Sequence, residues 1–388
     1  MRIVIAPDSY KGSVSALGVA QAMDRGIRRV FPDAEINLAP IADGGEGTVE
    51  ALVTATGGEF CQTVVTGPLG EPVTAQWGIL GDGVTAVIEM AAASGLPLVP
   101  PDRRDPRLTT TYGTGELMRA ALDRGLLRLI IGIGGSATND GGAGMAEALG
   151  VRFLDGSGQS LAPGGAALAR LATIDLRDLD PRLQTTQIQV ACDVDNPLCG
   201  PRGASAVYSP QKGATPTMVA ELDGALRHYG GIAAQTFGRD VSEQPGAGAA
   251  GGLGAALLWF ANARLQSGIE IVIAATGLRE LIRQADWVLT GEGATDYQTA
   301  FGKAPVGVAK VAQEYNVPVV CLSGGLGHDY QAVYASGIAA MASTTPRPMT
   351  LDECLAAGPA LIEDAAERLA RLIVVGMNWA ALRPGSRS

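Results

Sequence analysis

The residues with most to offer chemically stand in short polar turns, each directly after an apolar run. Asp8, Ser9, Lys11 and Ser13 follow Arg2–Ala6, and Asp43 and Glu46, set among Gly44, Gly45 and Gly47, follow Ile36–Ile41. Asp193 and Asp195 follow Ile188–Ala191 and precede Pro197, and Glu292, Asp296 and Lys303 follow Trp287–Thr290. The densest turn lies within Leu129–Gly150, LIIGIGGSATNDGGAGMAEALG, where Gly134, Gly135, Ser136, Thr138, Asn139 and Asp140 separate an apolar run from a small-residue helix. Glycines let backbone N–H groups approach an anion, a helix N-terminus favours negative charge, and hydroxyls add donors. That chemistry is a cradle for a phosphate or a carboxylate. Paired acids in a glycine turn suit a Mg²⁺–phosphate or polyol ligand.

Each turn also has a plainer reading. Ser13 or Ser15 could simply cap the helix that follows. The glycines of 132–144 could serve close packing, and Asp193–Pro197 could be an Asx-turn. Pro210–Ala214 offers an isolated lysine, Lys212, in a turn. Pro245–Gly254 (PGAGAAGGLG), with Gly248 and Gly251, is a second glycine-rich loop, for packing or for phosphate. It follows no clear strand and has no ribose-binding acid at the right distance, so it is not a dinucleotide fingerprint. The stretch ending in Gly302-Lys303-Ala304 lacks the first glycine and the Ser/Thr of a Walker A loop.

The elements that must position these turns alternate as strand and helix at both ends of the chain. Apolar spacing predicts a helix through Leu17, Met23 and Ile27, another over Pro305–Glu314 and a final one over Leu351–Ile373. Ile269–Ala274 reads as a buried strand, and Pro245–Gly254 as the start of a helix running to Leu265. Between residues 63 and 90 the pattern changes to hairpins with Gly/Asp turns. The expected architecture is α/β: a Rossmann-like parallel-sheet domain from 1–62 plus 285–388, with a mixed α/β domain inserted at 63–284. At 388 residues two domains are expected.

The totals exclude several function classes. The net charge of −10, with no block of like charges, argues against nucleic acid or an anionic membrane as partner. No apolar run reaches membrane-spanning length. Five scattered cysteines without a CxxC pair fit reduced thiols in the cytoplasm. Two histidines leave catalysis to carboxylates, lysines, hydroxyls and backbone.

Taken together, APDSYKGS (6–13), PIADGGEGT (40–48), GIGGSATNDGGAG (132–144), ACDVDNPLCGPRGAS (191–205), PQKGA (210–214), PGAGAAGGLGAAL (245–257) and GEG..D.QT..GKAP (291–305) resemble the bacterial glycerate kinase family, of the glycerate 2-kinase type. Seven ordered motifs cover about residues 1–375. The resemblance implies ATP- and Mg²⁺-dependent phosphorylation of D-glycerate to 2-phosphoglycerate, with D-glycerate and ATP as the partners and a homodimer open to the chain. In that scheme Lys11, Asp43, Asp193 and Lys303 are catalytic, the lysines offsetting phosphoryl charge and Asp193 accepting the hydroxyl proton. Gly134, Gly135, Ser136, Thr138, Asn139, Asp140, Gly248 and Gly251 hold nucleotide phosphates, and Glu292 and Asp296 hold the metal. Relatives generally read GEGRID where this chain has Gly291-Glu292-Gly293-Ala294-Thr295-Asp296, so Ala294 removes an arginine that could clamp an anion. A hydroxy-acid kinase with altered substrate, or a non-catalytic sugar-acid sensor, is the alternative.

Overall fold

Ile3, Val4, Ile5 and Ala6 are almost wholly buried, and the strand they build is paired on both edges. A run apolar at every position needs cover on both faces, which is the condition of a parallel sheet between helix layers. The computed structural model describes residues 1–42, 44–301 and 303–381. Along the chain its strands are β1 (Arg2–Pro7), β2 (Glu35–Leu38), β3 (Glu59–Thr66), β4 (Pro72–Ile79), β5 (Thr85–Glu89), β6 (Arg128–Gly132) and β7 (Arg152–Asp155). There follow β8 (Leu171–Asp175), β9 (Gln187–Ala191), β10 (Arg264–Gln266), β11 (Trp287–Thr295), β12 (Val319–Leu326) and β13 (Ile338–Ser343). The chain divides into two compact units, the first drawn from the described residues of 1–43, 50–55 and 272–388, the second from 44–49 and 56–271.

The first unit is a Rossmann-like layered fold. Its sheet runs β13-β12-β11-β1-β2, all parallel. Val19, Met23 and Ile27 of helix Ala16–Arg28 and Ile362, Ala366 and Leu369 of helix Gly358–Ala381 form one core with Ile3, Ile5, Leu289 and Leu322 of the strands. Helix Ala304–Glu314 packs against β1, β11 and β12 and buries Val306, Val308 and Val311. Ser15, not Ser13, caps the first helix: its Oγ accepts from Gly18 N at 3.3 Å. Ser13 Oγ instead donates to Leu355 O at 2.8 Å.

The second unit holds a six-stranded mixed sheet, β10-β9-β6-β5-β4-β3, antiparallel from β3 to β5 and parallel beyond. Its core gathers Trp77, Phe153, Tyr229 and Phe260, with Phe153 edge-on to both Tyr229 and Phe260. Among the described residues no helix is long and apolar enough to cross a membrane.

Three local expectations give way. Ile269–Ala274 lies in a helix, Gly268–Thr276, not a strand, since a short apolar run carries no period to choose between them. The Asp193 carboxylate accepts from Gly268 N at the start of that helix, as an N-terminal anion does. The helix expected to reach Leu265 stops at Phe260, and β10 follows. The final helix is two, Leu351–Ala356 and Gly358–Ala381. A reciprocal Thr350–Glu353 capping box starts the first.

Candidate active site

In the first sheet β2 lies on one side of β1, while β11, β12 and β13 extend from the other. Counted by appearance within the unit the order is 2-1-3-4-5, and its direction reverses between β1 and β11. Open parallel sheets bind ligands outside the carboxyl ends of their strands at such a reversal. Here the turn leaving β1 meets the end of β11, and a cavity of about 630 Å³ opens there. Asp8, Lys11, Glu292, Gly293, Ala294 and Lys303 line its polar side.

β11 runs further than its apolar core. Glu292, Ala294 and Thr295 stay in register with Ser323, Gly325 and Leu326 of β12, so Glu292 stands on a strand and not on a loop. Only 7% exposed, it is braced on one oxygen: Oε1 accepts from Thr299 Oγ1 at 2.6 Å and Thr295 Oγ1 at 3.0 Å. The other oxygen, Oε2, lies 3.7 Å from Lys303 Nζ, which is 4.0 Å from Asp296 Oδ1. Burial pushes the Glu292 carboxyl above its ordinary range, against the pull of Thr299, Lys303 and Thr295. A second cation would therefore be welcome beside it. Asp8 is also 7% exposed; Oδ1 accepts from Ser9 N at 2.6 Å. Tyr10 is buried in the core of the unit, donating to Leu322 O at 2.6 Å, and burial holds its phenol well above the usual value. Lys11 is exposed at the rim. Two carboxylates, Glu292 and Asp296, fit Mg²⁺, which is held by one or two carboxylates with the rest of its shell from water and phosphate. Among the described residues no cluster of three or more His, Cys, Asp and Glu forms a complete protein cage.

The glycine-rich loop belongs to the second unit, and its parts differ sharply. Gly134 and Gly135 are exposed, and Ser136 is 9% exposed. Thr138, Asn139 and Asp140 are enclosed. Asp140 accepts from Thr111 N and Thr111 Oγ1, both at 2.8 Å, and from Gly142 N and Gly144 N. Asn139 Nδ2 donates to Ser205 Oγ at 2.9 Å. Gly248 and Gly251 lie against backbone: a Cβ on the first would meet Pro197 O at 2.1 Å, and on the second Thr138 O at 2.0 Å. Lys212, the isolated lysine of the Pro210–Ala214 turn, is 2% exposed beneath the loop and donates to Ser136 Oγ at 2.7 Å and Thr138 O at 2.6 Å. Desolvation lowers its ammonium to about 7, with Asp140 pulling the other way. An ammonium only donates, so Ser136 Oγ accepts from it and turns its own hydrogen elsewhere.

Asp193 accepts from Ser267 Oγ at 2.7 Å and from Gly268 N at 3.2 Å. Asp43 lies outside the described residues. Thr295, Thr299 and Lys212 were not legible as site residues, because each acts through a partner that only the fold supplies.

A sequence model of the glycerate kinase family matches residues 3–374. A glycerate kinase of Halalkalibacterium halodurans is 54% identical over 368 residues, 95% of this chain and 97% of that one. A glycerate 2-kinase of Escherichia coli is 52% identical over 378 residues, 97% and 99% of the two chains. The crystal structure of a glycerate kinase 2 from Salmonella typhimurium LT2 superposes with a TM-score of 0.89 at 51% identity, covering 97% of this chain and 99% of that one.

Proposed function

Since the chain belongs to the glycerate kinase family and is a kinase, we propose that it transfers the γ-phosphoryl group of ATP, with Mg²⁺, to the 2-hydroxyl of D-glycerate in the cytoplasm. The observation that carries this reading is the meeting of Lys11, Asp8, Glu292 and Lys303 around one cavity at the sheet's reversal point. Phosphoryl transfer asks for positioning and charge neutralisation more than for covalent chemistry. Lys11 and Lys303 supply positive charge for the transferring group. Glu292 and Asp296 would hold Mg²⁺, which when bound neutralises phosphate charge. Asp193 is the carboxylate proposed to receive the glycerate hydroxyl proton, and Asp43 is proposed to ligate the metal or the substrate hydroxyl. Exposed Gly134 and Gly135 offer backbone donors to an anion and the largely buried Ser136, held on Lys212, turns its hydroxyl hydrogen toward it, while Thr138, Asn139, Asp140, Gly248 and Gly251 shape the loop behind them. We propose the two units as separate domains, and a homodimer as the assembly to be tested by light scattering.

Incubation with Mg-ATP and D-glycerate, followed by ³¹P NMR, tests the reading. The expected products are ADP and 2-phosphoglycerate. A phosphate on the 3-hydroxyl would overturn the regiochemistry. Glycerate binding without ADP release would replace the kinase with a sensor.

Ala294 is exposed and lines the cavity, so an arginine side chain has room there. Ala294→Arg is expected to lower the KM of glycerate or of ATP by about 10- to 150-fold, the value of one charge-assisted hydrogen bond. Unchanged KM values for both would show that this position does not meet an anion.

A further inference from the structure

The cavity is much larger than its polar side needs. At about 630 Å³ it falls within the range that encloses drug-sized ligands, several times the bulk of a three-carbon acid. One part of its wall is of a different character. Met349, Leu351, Cys354, Leu355 and Leu361 line it, contributed by the segment after β13 and by the broken C-terminal helices. Met349, Cys354, Leu355 and Leu361 are only partly buried, so the protein leaves apolar surface facing this space. Glycerate, with a carboxylate and two hydroxyls on three carbons, has nothing to set against such a wall. The lining also includes Gly324 and Gly325 at the end of β12, and Thr344 and Thr345 just beyond β13. Small residues and hydroxyls at strand ends suit a sugar or a phosphate passing close to the backbone.

We propose that this cavity seats the nucleotide lengthwise: the purine base against Met349, Leu355 and Leu361, the ribose over Gly324 and Thr345, and the phosphates toward Lys11 and Lys303. The assignment rests on the kinase reading for the identity of the ligand. It adds the base subsite, and it places the C-terminal third of the chain in nucleotide recognition. The wall is tied to the charged turn. Ser13 Oγ donates to Leu355 O at 2.8 Å, so the Lys11 turn and the apolar wall are held at a fixed spacing.

Three measurements test it. ADP binding is read by calorimetry without metal or glycerate, so its result does not depend on turnover. Leu355→Trp and Cys354→Trp, which fill the wall from two positions, are each expected to weaken ADP binding about 10-fold or more, while inorganic tripolyphosphate binds the variants and the parent alike. The KM of ATP rises in parallel and that of glycerate stays within about twofold. Saturating ADP is expected to slow alkylation of Cys354 by N-ethylmaleimide, read by peptide mass spectrometry, and tripolyphosphate is not. The alkylation experiment uses the parent protein, so it holds even if a tryptophan variant fails to fold. Equal alkylation of Cys354 with and without ADP, or unchanged ADP affinity in both folded variants, overturns the proposal. Failure of the parent to make ADP from Mg-ATP and glycerate, with ADP still protecting Cys354, overturns the kinase reading and leaves the nucleotide subsite standing.

Discussion

Replacing Lys11 with alanine is expected to lower kcat with Mg-ATP and glycerate at least about 100-fold, the scale on which a lost electrostatic partner of a transition state is felt. The side chain is exposed at the cavity rim, on the turn that leaves β1. Removing it takes nothing from the core, and the thermal midpoint of the variant is measured beside its turnover. The two measurements together separate chemistry from folding. The backbone around it is fixed independently of the amine: Asp8 N donates to Gly291 O at 2.8 Å, and Val14 N to Tyr10 O at 3.0 Å. In a loose phosphoryl-transfer transition state negative charge builds on the departing ADP oxygen while the transferring group spreads its own over three equatorial oxygens, so a cation set against that array is felt in kcat more than in KM. Lys11→Arg keeps the charge but spreads it over a planar fork, and is expected to recover only part of the rate. A full rate in Lys11→Ala would remove this residue from the mechanism.

Asp140→Ala is expected to be the most destabilising single change in the second unit. The carboxylate is 1% exposed and accepts four hydrogen bonds, from Thr111 N and Oγ1 at 2.8 Å, Gly142 N at 3.1 Å and Gly144 N at 3.2 Å. Alanine leaves those donors buried and unmatched at about 1–3 kcal/mol each before relaxation. A net loss of about 3–5 kcal/mol in urea unfolding is the expected result. Asp140→Asn retains one acceptor oxygen and is expected to lose less. The loss reaches the loop above as well, since Lys212, which holds Ser136 and Thr138, feels the Asp140 charge. A midpoint shift worth under about 0.5 kcal/mol would show that the turn is held by other means.

How much of this could be read from sequence differs by element. β1, β6 and β12 announce themselves as apolar runs leading into polar, glycine- or aspartate-bearing turns, since a buried parallel strand has few other ways to be written, while β9 alternates Gln187 and Gln189 with Ile188 and Val190 before Asp193. The hairpins β3–β4–β5 were legible from alternation and turn residues. Helix Gly268–Thr276 was not, because its apolar residues surround it and its start is fixed by Asp193, far away in the chain. The continuation of β11 through Glu292 to Thr295 was hidden too, being imposed by pairing with β12 across glycines that do not favour a strand. Polar residues followed the same division. Asp8, Lys11, Glu292 and Lys303 could be picked out by their turns, while their shared cavity needed the neighbour relation of β1 and β11. Lys212 gave no local sign of its burial, because Ser136 and Thr138, which enclose it, are more than seventy positions earlier.

The pairing of β1 with β11 sets an order for synthesis. On a ribosome adding about 5–20 residues per second, β1 and β2 emerge roughly 10–60 s before Trp287 can take its place beside Ile3. The mixed sheet from β3 to β10 is complete by Gln266, so it is free to fold during that wait. The β11-facing edge of β1 thus stays unpaired through most of translation, a row of open backbone donors and acceptors until Trp287–Thr295 arrives.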